Sequence, residues 1–321
     1  MARALVTGAA GFVGQWLCRT LIREGWDVTG ASLTSPAPEG VLSHAEREAV
    51  RWMLADLRTE AAIASVLDAS QPDAVFHLAG ISFVPTAGED PVGVCQANVL
   101  AGVALLADIR RRRAVGALDP MVVMIGSAEQ YGVHEASAGA LTERAECRPV
   151  TLYAASKYAQ EIFALEAART DGVRVVCTRS FNHSGLGQAS HFLLPALVRR
   201  VAAVRDEPAP RAITIGNPHT VREFLHVEDV AAAYLSLAAH GTSGAVYNVC
   251  SGTGVTVEEL AREVCAAAGV DAELVSDPSL RRTIDVPWLV GDNTKLRTTT
   301  GWAPRRSRSD IIDELLHAAS H

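Results

Sequence analysis

Thr7 to Gly14 reads TGAAGFVG, and this stretch decides the fold. Gly8, Gly11 and Gly14 stand three apart, directly after the apolar run Ala4 to Thr7 and at the mouth of the amphipathic stretch Phe12 to Glu24. A strand that ends in glycines and opens into a helix brings backbone N–H groups to a helix N-terminus. Missing Cβ atoms there leave room for a pyrophosphate, and the helix dipole favours an anion. A glycine triplet alone occurs in many tight turns. With its strand, its helix and its place at the start of the chain, this one reads as a dinucleotide-binding turn, with Gly8, Gly11, Phe12, Val13 and Gly14 as contacts.

Outward from the turn, short apolar runs alternate with longer amphipathic stretches, the pattern of repeated strand–helix–strand units. Strands are expected at Ala4 to Thr7, Asp27 to Ala31, Trp52 to Ala55, Ala74 to Leu78, Met121 to Ile125 and Arg174 to Thr178. Helices are expected at Phe12 to Glu24, Thr59 to Ala69, Pro91 to Arg112 and Leu152 to Ala168. The predicted class is α/β, a Rossmann-type doubly wound parallel sheet with a smaller α/β C-terminal substrate lobe. After Arg179 the alternation loosens, with helices at Phe192 to Val204, Val227 to Ala239, Val257 to Ala267 and Asp310 to Ala318 and a strand at Ala245 to Val249. The dinucleotide-binding domain is therefore expected over 1–179 with about 224–250, and the substrate lobe over about 180–223 and 251–321.

Composition narrows the function. The chain has 321 residues, 49% of them hydrophobic, and a formal net charge of −7. That balance argues against a nucleic-acid partner, because binding a phosphate backbone needs clustered cations, and the one basic run, Arg110 to Arg113, falls where a helix ends and a solvated face is expected. Six dispersed cysteines with no C-x-x-C pair predict neither a disulfide framework nor a bound metal, and fit a reduced, cytoplasmic protein. No stretch reaches the roughly 20 uninterrupted apolar residues of a spanning helix, and the apolar residues 4–14 lead into a turn without a basic leader, so no membrane partner or export signal is expected.

The end of the second strand usually carries an acid for the ribose of NAD, or an arginine nearby for the phosphate of NADP. Here Thr29 to Thr34 reads TGASLT, and Ser32 is neither. Losing the acid removes repulsion against a phosphate, so NADP(H) is slightly favoured over NAD(H). Asp56 and Leu57, closing the third strand, are expected near the adenine; Leu78, Ala79 and Gly80, ending the fourth, are expected where the dinucleotide passes, with a plain turn as the competing reading. Tyr153 and Lys157 are four apart on a predicted helix and share a face. An ammonium beside a phenol lowers a pKa that starts near about 10, which fits a tyrosine for proton transfer. Ser127, at the end of the fifth strand, is where ligands of open α/β sheets gather.

TGAAGFVG, Asn98 within a helix, Ser127 followed by YAASK (Tyr153 to Lys157), and VREFLHVEDV (Val221 to Val230) resemble the extended short-chain dehydrogenase/reductase family, the nucleotide-sugar epimerases, dehydratases and reductases. The resemblance covers almost the whole chain. It implies that Ser127 bonds the reacting oxygen, that Tyr153 exchanges the proton, and that Lys157 binds nicotinamide ribose and lowers the tyrosine pKa. Asn98, placed with the cofactor contacts, would be structural or a proton relay. GSAEQYG (Gly126 to Gly132), RSFNHSGLGQ (Arg179 to Gln188) and IGNPHTVREF (Ile215 to Phe224) are most similar to the GDP-mannose dehydratases and the GDP-4-keto-6-deoxymannose reductases. Asn182, His183, Gly185, Gly187 and Gln188 favour the reductases. Leu186 stands where proline is usual, and Leu33 where a cofactor-phosphate arginine is usual.

The resemblance implies a nucleotide-diphosphate sugar as substrate, held by Ser82, Glu129, Asn182, His183, Gly216, Asn217, Arg222 and Arg282. Glu129 has two readings, a base at sugar carbon 5 or a group that binds hydroxyls. His183 is read either as a substrate contact or as a histidine satisfied within its loop. The resemblance also implies a homodimer through a four-helix bundle made by Pro91 to Arg112 and Leu152 to Ala168, with Val99, Val103, Leu106, Ile162 and Leu165 as contacts; packing of those residues on the sheet is the alternative. Beside the 4-keto reductase stand the dehydratase and epimerase readings with tightly bound cofactor and, more remotely, a non-catalytic dinucleotide sensor.

Overall fold

The computed structural model describes residues 1–36, 40–82, 90–135, 139–280 and 285–319. Its main sheet holds seven strands, β1 (Arg3–Thr7), β2 (Asp27–Ser32), β3 (Val50–Leu54), β4 (Ala74–His77), β5 (Met121–Ser127), β6 (Val175–Ser180) and β7 (Val246–Val249). They lie in the order β7-β6-β5-β4-β1-β2-β3, every pair parallel. The order reverses at β1, which pairs with β2 on one side and β4 on the other, and the glycine turn opens at that switch point. The six strands expected from the first half are present, and Val246–Val249 adds the seventh beside β6.

Both faces of the sheet are covered, so its central strands are buried on successive residues rather than alternate ones, while the edge strand β3 is partly exposed. On one face lie α1 (Phe12–Arg23) and, far along the chain, α6 (Val227–His240), whose Trp16, Leu17, Leu21, Val230 and Leu237 pack with Val6, Phe76, Val123 and Val176. On the other face lie α2 (Glu60–Ser70), α3 (Pro91–Ala114) and α4 (Leu152–Asp171), whose Ile63, Leu67, Leu105, Ile109 and Ala164 pack with Leu5, Val75, Val122 and Val175. Truncating a leucine such as Leu105, 2% exposed, to alanine would cost about 2–5 kcal/mol.

Helix ends follow the local sequence. Thr59 and Thr151 cap α2 and α4 by accepting from the N–H groups of Ala62 and Ala154, whereas α1 has no acidic residue in its first turn and no side-chain cap, which leaves its N-terminal N–H groups for an anion. Helix α3 is long and apolar enough by length and composition to cross a membrane, yet it packs on the sheet and against α2 and α4. Its middle, Gln96–Leu100, is a π turn.

Beyond β6 the chain builds a separate core from α5 (Leu193–Val204), α7 (Val257–Ala267) and α8 (Arg308–Ala319), with Leu194, Leu197, Ile213, Phe224, Leu260 and Ile311 buried together. Short strands join here that the looser pattern did not announce: Val221–Glu223 pairs with Gly254–Thr256 and Trp288–Leu289, and Ala212–Ile215 pairs with Glu273–Ser276. Glu223 ties the two parts. Its buried carboxylate accepts from the N–H groups of Ser251, Gly252 and Gly291 and from the Ser251 hydroxyl, all on segments that follow β7 or precede α8.

Candidate active site

A cavity of about 750 Å³ opens where β1, β4 and β5 end. Its floor is the glycine turn. Gly8 has a φ of +69°, and a Cβ there would lie 2.9 Å from the Ala79 nitrogen; one at Gly14 would overlap the Gly8 carbonyl and lie 2.7 Å from the Ala9 Cα. Only glycine lets β4 and α1 close so tightly and still present bare N–H groups. Gly8, Gly11, Phe12, Val13, Gly14, Ser32, Asp56, Leu57, Leu78, Ala79, Gly80, Tyr153 and Lys157 all line this cavity. The residues present therefore fit a dinucleotide: a glycine cradle at the N-terminus of an uncapped helix, in a cleft that runs from β3 to β5.

Asn98 is the exception among the expected cofactor contacts. It lies beneath the wall, fully buried, where its Oδ1 accepts from Ile81 N at 2.7 Å and its Nδ2 donates to Ile81 O at 3.1 Å and Ser156 Oγ at 2.9 Å. Those three bonds fix the segment after β4 to α4, and the π turn is what points Asn98 at it.

The chemistry sits on the opposite wall. Ser127 ends β5, and its Oγ accepts from Glu129 N at 3.2 Å while Gln130 Oε1 accepts from Ser127 N at 2.8 Å, a reciprocal cap that fixes the turn. Behind it Gln130 Nε2 donates to Glu161 at 2.8 Å, and Glu161 holds Arg179 through two bonds of 2.6 and 2.9 Å. Tyr153 bonds Ser127. Burial and the nearby Glu129 carboxylate push the Tyr153 hydroxyl up to about 12, against that bond.

Lys157, four residues on along the same helix, takes its hydrogen bonds beneath the site. Its Nζ donates to Ile125 O at 2.8 Å and Gln160 Oε1 at 3.1 Å, and burial takes the ammonium down to about 8. Deeper still, His77 shares a hydrogen bond of 3.0 Å with Thr7 Oγ1, and burial together with the Lys157 charge lowers it to about 3, so the imidazole is neutral. Among the described residues, His77 Nε2 and Gln160 Nε2 are buried side-chain nitrogens with no hydrogen-bond partner.

Of the expected substrate contacts, Ser82, Glu129, Asn182 and His183 line the cavity. His183 is half-buried, stacks with Phe12 at 6.2 Å and bonds Phe181 O through Nδ1 at 2.9 Å, so its loop does satisfy one ring nitrogen. Gly216, Asn217 and Arg222 do not line this cavity. Asp285 gathers Asn217 Nδ2 at 2.9 Å and Arg222 Nη2 at 3.4 Å, and the Gly216 carbonyl accepts from Ser276 Oγ at 2.9 Å, so this group is held within the second core. Arg282 lies outside the described residues. The dimer residues also divide: Val99 and Leu106 are buried within the chain, Val103 and Leu165 are half-buried, and Ile162 is exposed beside Phe163.

The cavity also takes residues the sequence reading missed. Phe192, Leu193, Phe224 and Tyr234 form its far apolar wall, and Arg58 stands at its other end. Tyr234 is buried inside α6 and bonds Ser180 Oγ at 2.7 Å; its helical spacing is that of a core residue. Arg58 follows Asp56 and Leu57 directly, a place before a helix where a charged residue carries no signature of a site.

This fold and site define an NAD(P)-dependent enzyme of the extended short-chain dehydrogenase/reductase class. A family profile for GDP-mannose 4,6 dehydratase matches residues 5–315, and the chain belongs to that family of nucleotide-sugar enzymes. It is 37% identical to the GDP-6-deoxy-D-mannose reductase of Pseudomonas aeruginosa over 73% of this chain and 75% of that one. It is 28% identical to the GDP-6-deoxy-D-talose 4-dehydrogenase of Aggregatibacter actinomycetemcomitans over 93% and 91%. Among solved structures it resembles RMD from Pseudomonas aeruginosa complexed with NADPH, with a TM-score of 0.81 and 31% identity over 99% of both chains. It also resembles the Thermus thermophilus UDP-glucose 4-epimerase complexed with NAD, with a TM-score of 0.83 and 26% identity over 99% of both.

Proposed function

We propose that the protein is a 4-keto reductase of a GDP-4-keto-6-deoxyhexose. The observation that carries the reading is the shared cavity: the glycine turn, Ser127, Tyr153, Lys157 and the loop of Asn182, His183 and Gln188 all line one space. The 37% identity to a GDP-6-deoxy-D-mannose reductase supports the substrate class. Bound nicotinamide supplies the hydride for carbon 4. The chain's own part is to hold the ketone oxygen between Ser127 and Tyr153 and to deliver the tyrosine proton to that oxygen, so that negative charge does not accumulate on it. Lys157 keeps a positive charge beneath the site at neutral pH, and Asn98 holds the wall in register with α4.

The dinucleotide is bound by the part made of residues 1–179 and about 224–250, and the nucleotide sugar by the lobe of about 180–223 and 251–321, with NADP(H) preferred. Arg222 and Arg282 are the cations offered for the diphosphate. A second copy of the chain pairs through α3 and α4, where Val92, Leu100, Ile162 and Phe163 are exposed. Six free cysteines suit the reducing cytoplasm.

A second reading, a 4,6-dehydratase, is favoured by Glu129, whose carboxylate acts on Tyr153 and lines the cavity. Reduced-nicotinamide absorbance separates the two. Mixed with GDP-4-keto-6-deoxymannose and NADPH, a reductase oxidises the cofactor one for one. Consumption of GDP-mannose with no added cofactor and no net absorbance change overturns the reductase reading.

A further inference from the structure

The adenosine end of the cavity lacks both of the usual discriminating residues. Ser32 stands at the acid position, with its hydroxyl accepting from Ala10 N at 2.8 Å, and Leu33, 68% exposed, stands where an arginine is usual. Among the described residues that line the cavity, the only lysine or arginine side chains are Lys157, beneath the chemistry, and Arg58. Arg58 belongs to the opposite end. It follows β3, whose last residue pairs with Ser32, and the Ala55 N–H donates to the Ser32 carbonyl at 2.9 Å, so the loop of Asp56, Leu57 and Arg58 borders the same space as Ser32 and Thr34.

Arg58 is held in readiness rather than consumed. Its Nε and Nη2 bond Asp56 two residues away at 2.6 to 3.1 Å, and Nη1 takes no part in the pair. The two side chains are 48% and 38% exposed, so water screens their attraction and exchange of partner is easy. A phosphate monoester, with up to two negative charges and three acceptor oxygens, outcompetes a solvated carboxylate for a guanidinium fork.

We propose that Arg58 is the residue that binds the 2′-phosphate of NADP(H), so that the cation which selects the cofactor comes from the loop after the third strand instead of the loop after the second. The neighbouring Asp56 holds the guanidinium in place when that phosphate is missing, which leaves NAD(H) a weaker ligand and not an excluded one. The inference rests on the preference for NADP(H) proposed above.

Binding of adenosine 2′,5′-bisphosphate and of adenosine 5′-monophosphate, followed by calorimetry on the full chain, tests it without any sugar substrate, with NADPH and NADH fluorescence titrations alongside. Arg58→Ala is expected to weaken the bisphosphate and NADPH about 10- to 100-fold while 5′-monophosphate and NADH change less than about threefold; Arg58→Lys, which keeps the charge but loses the fork, falls between. The side chain is exposed, so folding is not at stake. Wild-type protein that binds both nucleotides equally overturns the NADP(H) preference itself. Wild-type protein that prefers the bisphosphate, with Arg58→Ala preserving the preference or weakening both nucleotides alike, overturns the role of Arg58 alone.

Discussion

Glu161→Gln keeps the shape of the buried network behind Ser127 and removes its charge. Arg179 is 6% exposed and Glu161 3%, so the guanidinium would be left ionised in the interior, facing an uncharged amide that keeps one acceptor oxygen and turns a donor towards it in place of the other. Breaking one side of a buried pair costs about 3–5 kcal/mol. At about 2 °C per kcal/mol for a chain of this size, the melting temperature should fall by roughly 6–10 °C. Glu161→Leu combined with Arg179→Met removes both charges and conserves volume, leaving the Gln130 amide as the chief orphan at about 1–3 kcal/mol, so the double variant should be more stable than the single one. Thermal melts at fixed scan rate, with the substitutions made singly and together, measure both terms. A Glu161→Gln melt within 2 °C of the parent, or a double variant as unstable as the single, would refute the claim that an unpaired buried charge is what matters.

Tyr153→Phe should lower turnover about 100- to 10,000-fold while NADPH affinity by fluorescence titration stays unchanged; unaltered turnover would remove the tyrosine from proton transfer. Gly14→Ala, whose Cβ must displace the Gly8 carbonyl and the Ala9 backbone, should abolish nucleotide binding measured by calorimetry, and retained affinity would mean the turn opens more easily than its packing indicates. Lys157, down at about 8 in the cofactor-free fold, makes the unfolded chain the better proton binder between about pH 8 and 10.5, so its contribution to stability rises with pH through that window; Lys157→Met should remove this rise in denaturation midpoints, and an identical pH slope in both proteins would count against it.

How much of this was legible beforehand depended on whether the signal was local. The glycine turn, its strand and its helix are neighbours in sequence, and the central strands β1, β4 and β5 carry short continuous apolar runs because both faces are covered, so the fold could be read directly. Tyr153 and Lys157 were visible as one helical face, but what the ammonium touches is set by Ile125 and Gln160 and had no sequence signature. Arg222 and Asn217 sit in a recognisable motif, yet their shared partner Asp285 lies more than 60 residues on and no local pattern announces it. Tyr234 and Phe224 were hidden for the opposite reason, since a residue that lines a pocket from inside a helix or strand has the same periodicity as one that fills a core.

The π turn at Gln96–Leu100 sets a limit on what insertions and deletions this chain can absorb. One extra residue is stored there, so the helix before it and the helix after it are out of phase by about 100°. Deleting a single residue between 96 and 100 would give a straighter and locally more regular helix, and would still rotate Asn98 away from Ile81 or swing the Pro91 end around the axis. Length variation is therefore better tolerated beyond Ala114, where the helix has ended, than within this one turn, where a shorter helix is a different helix.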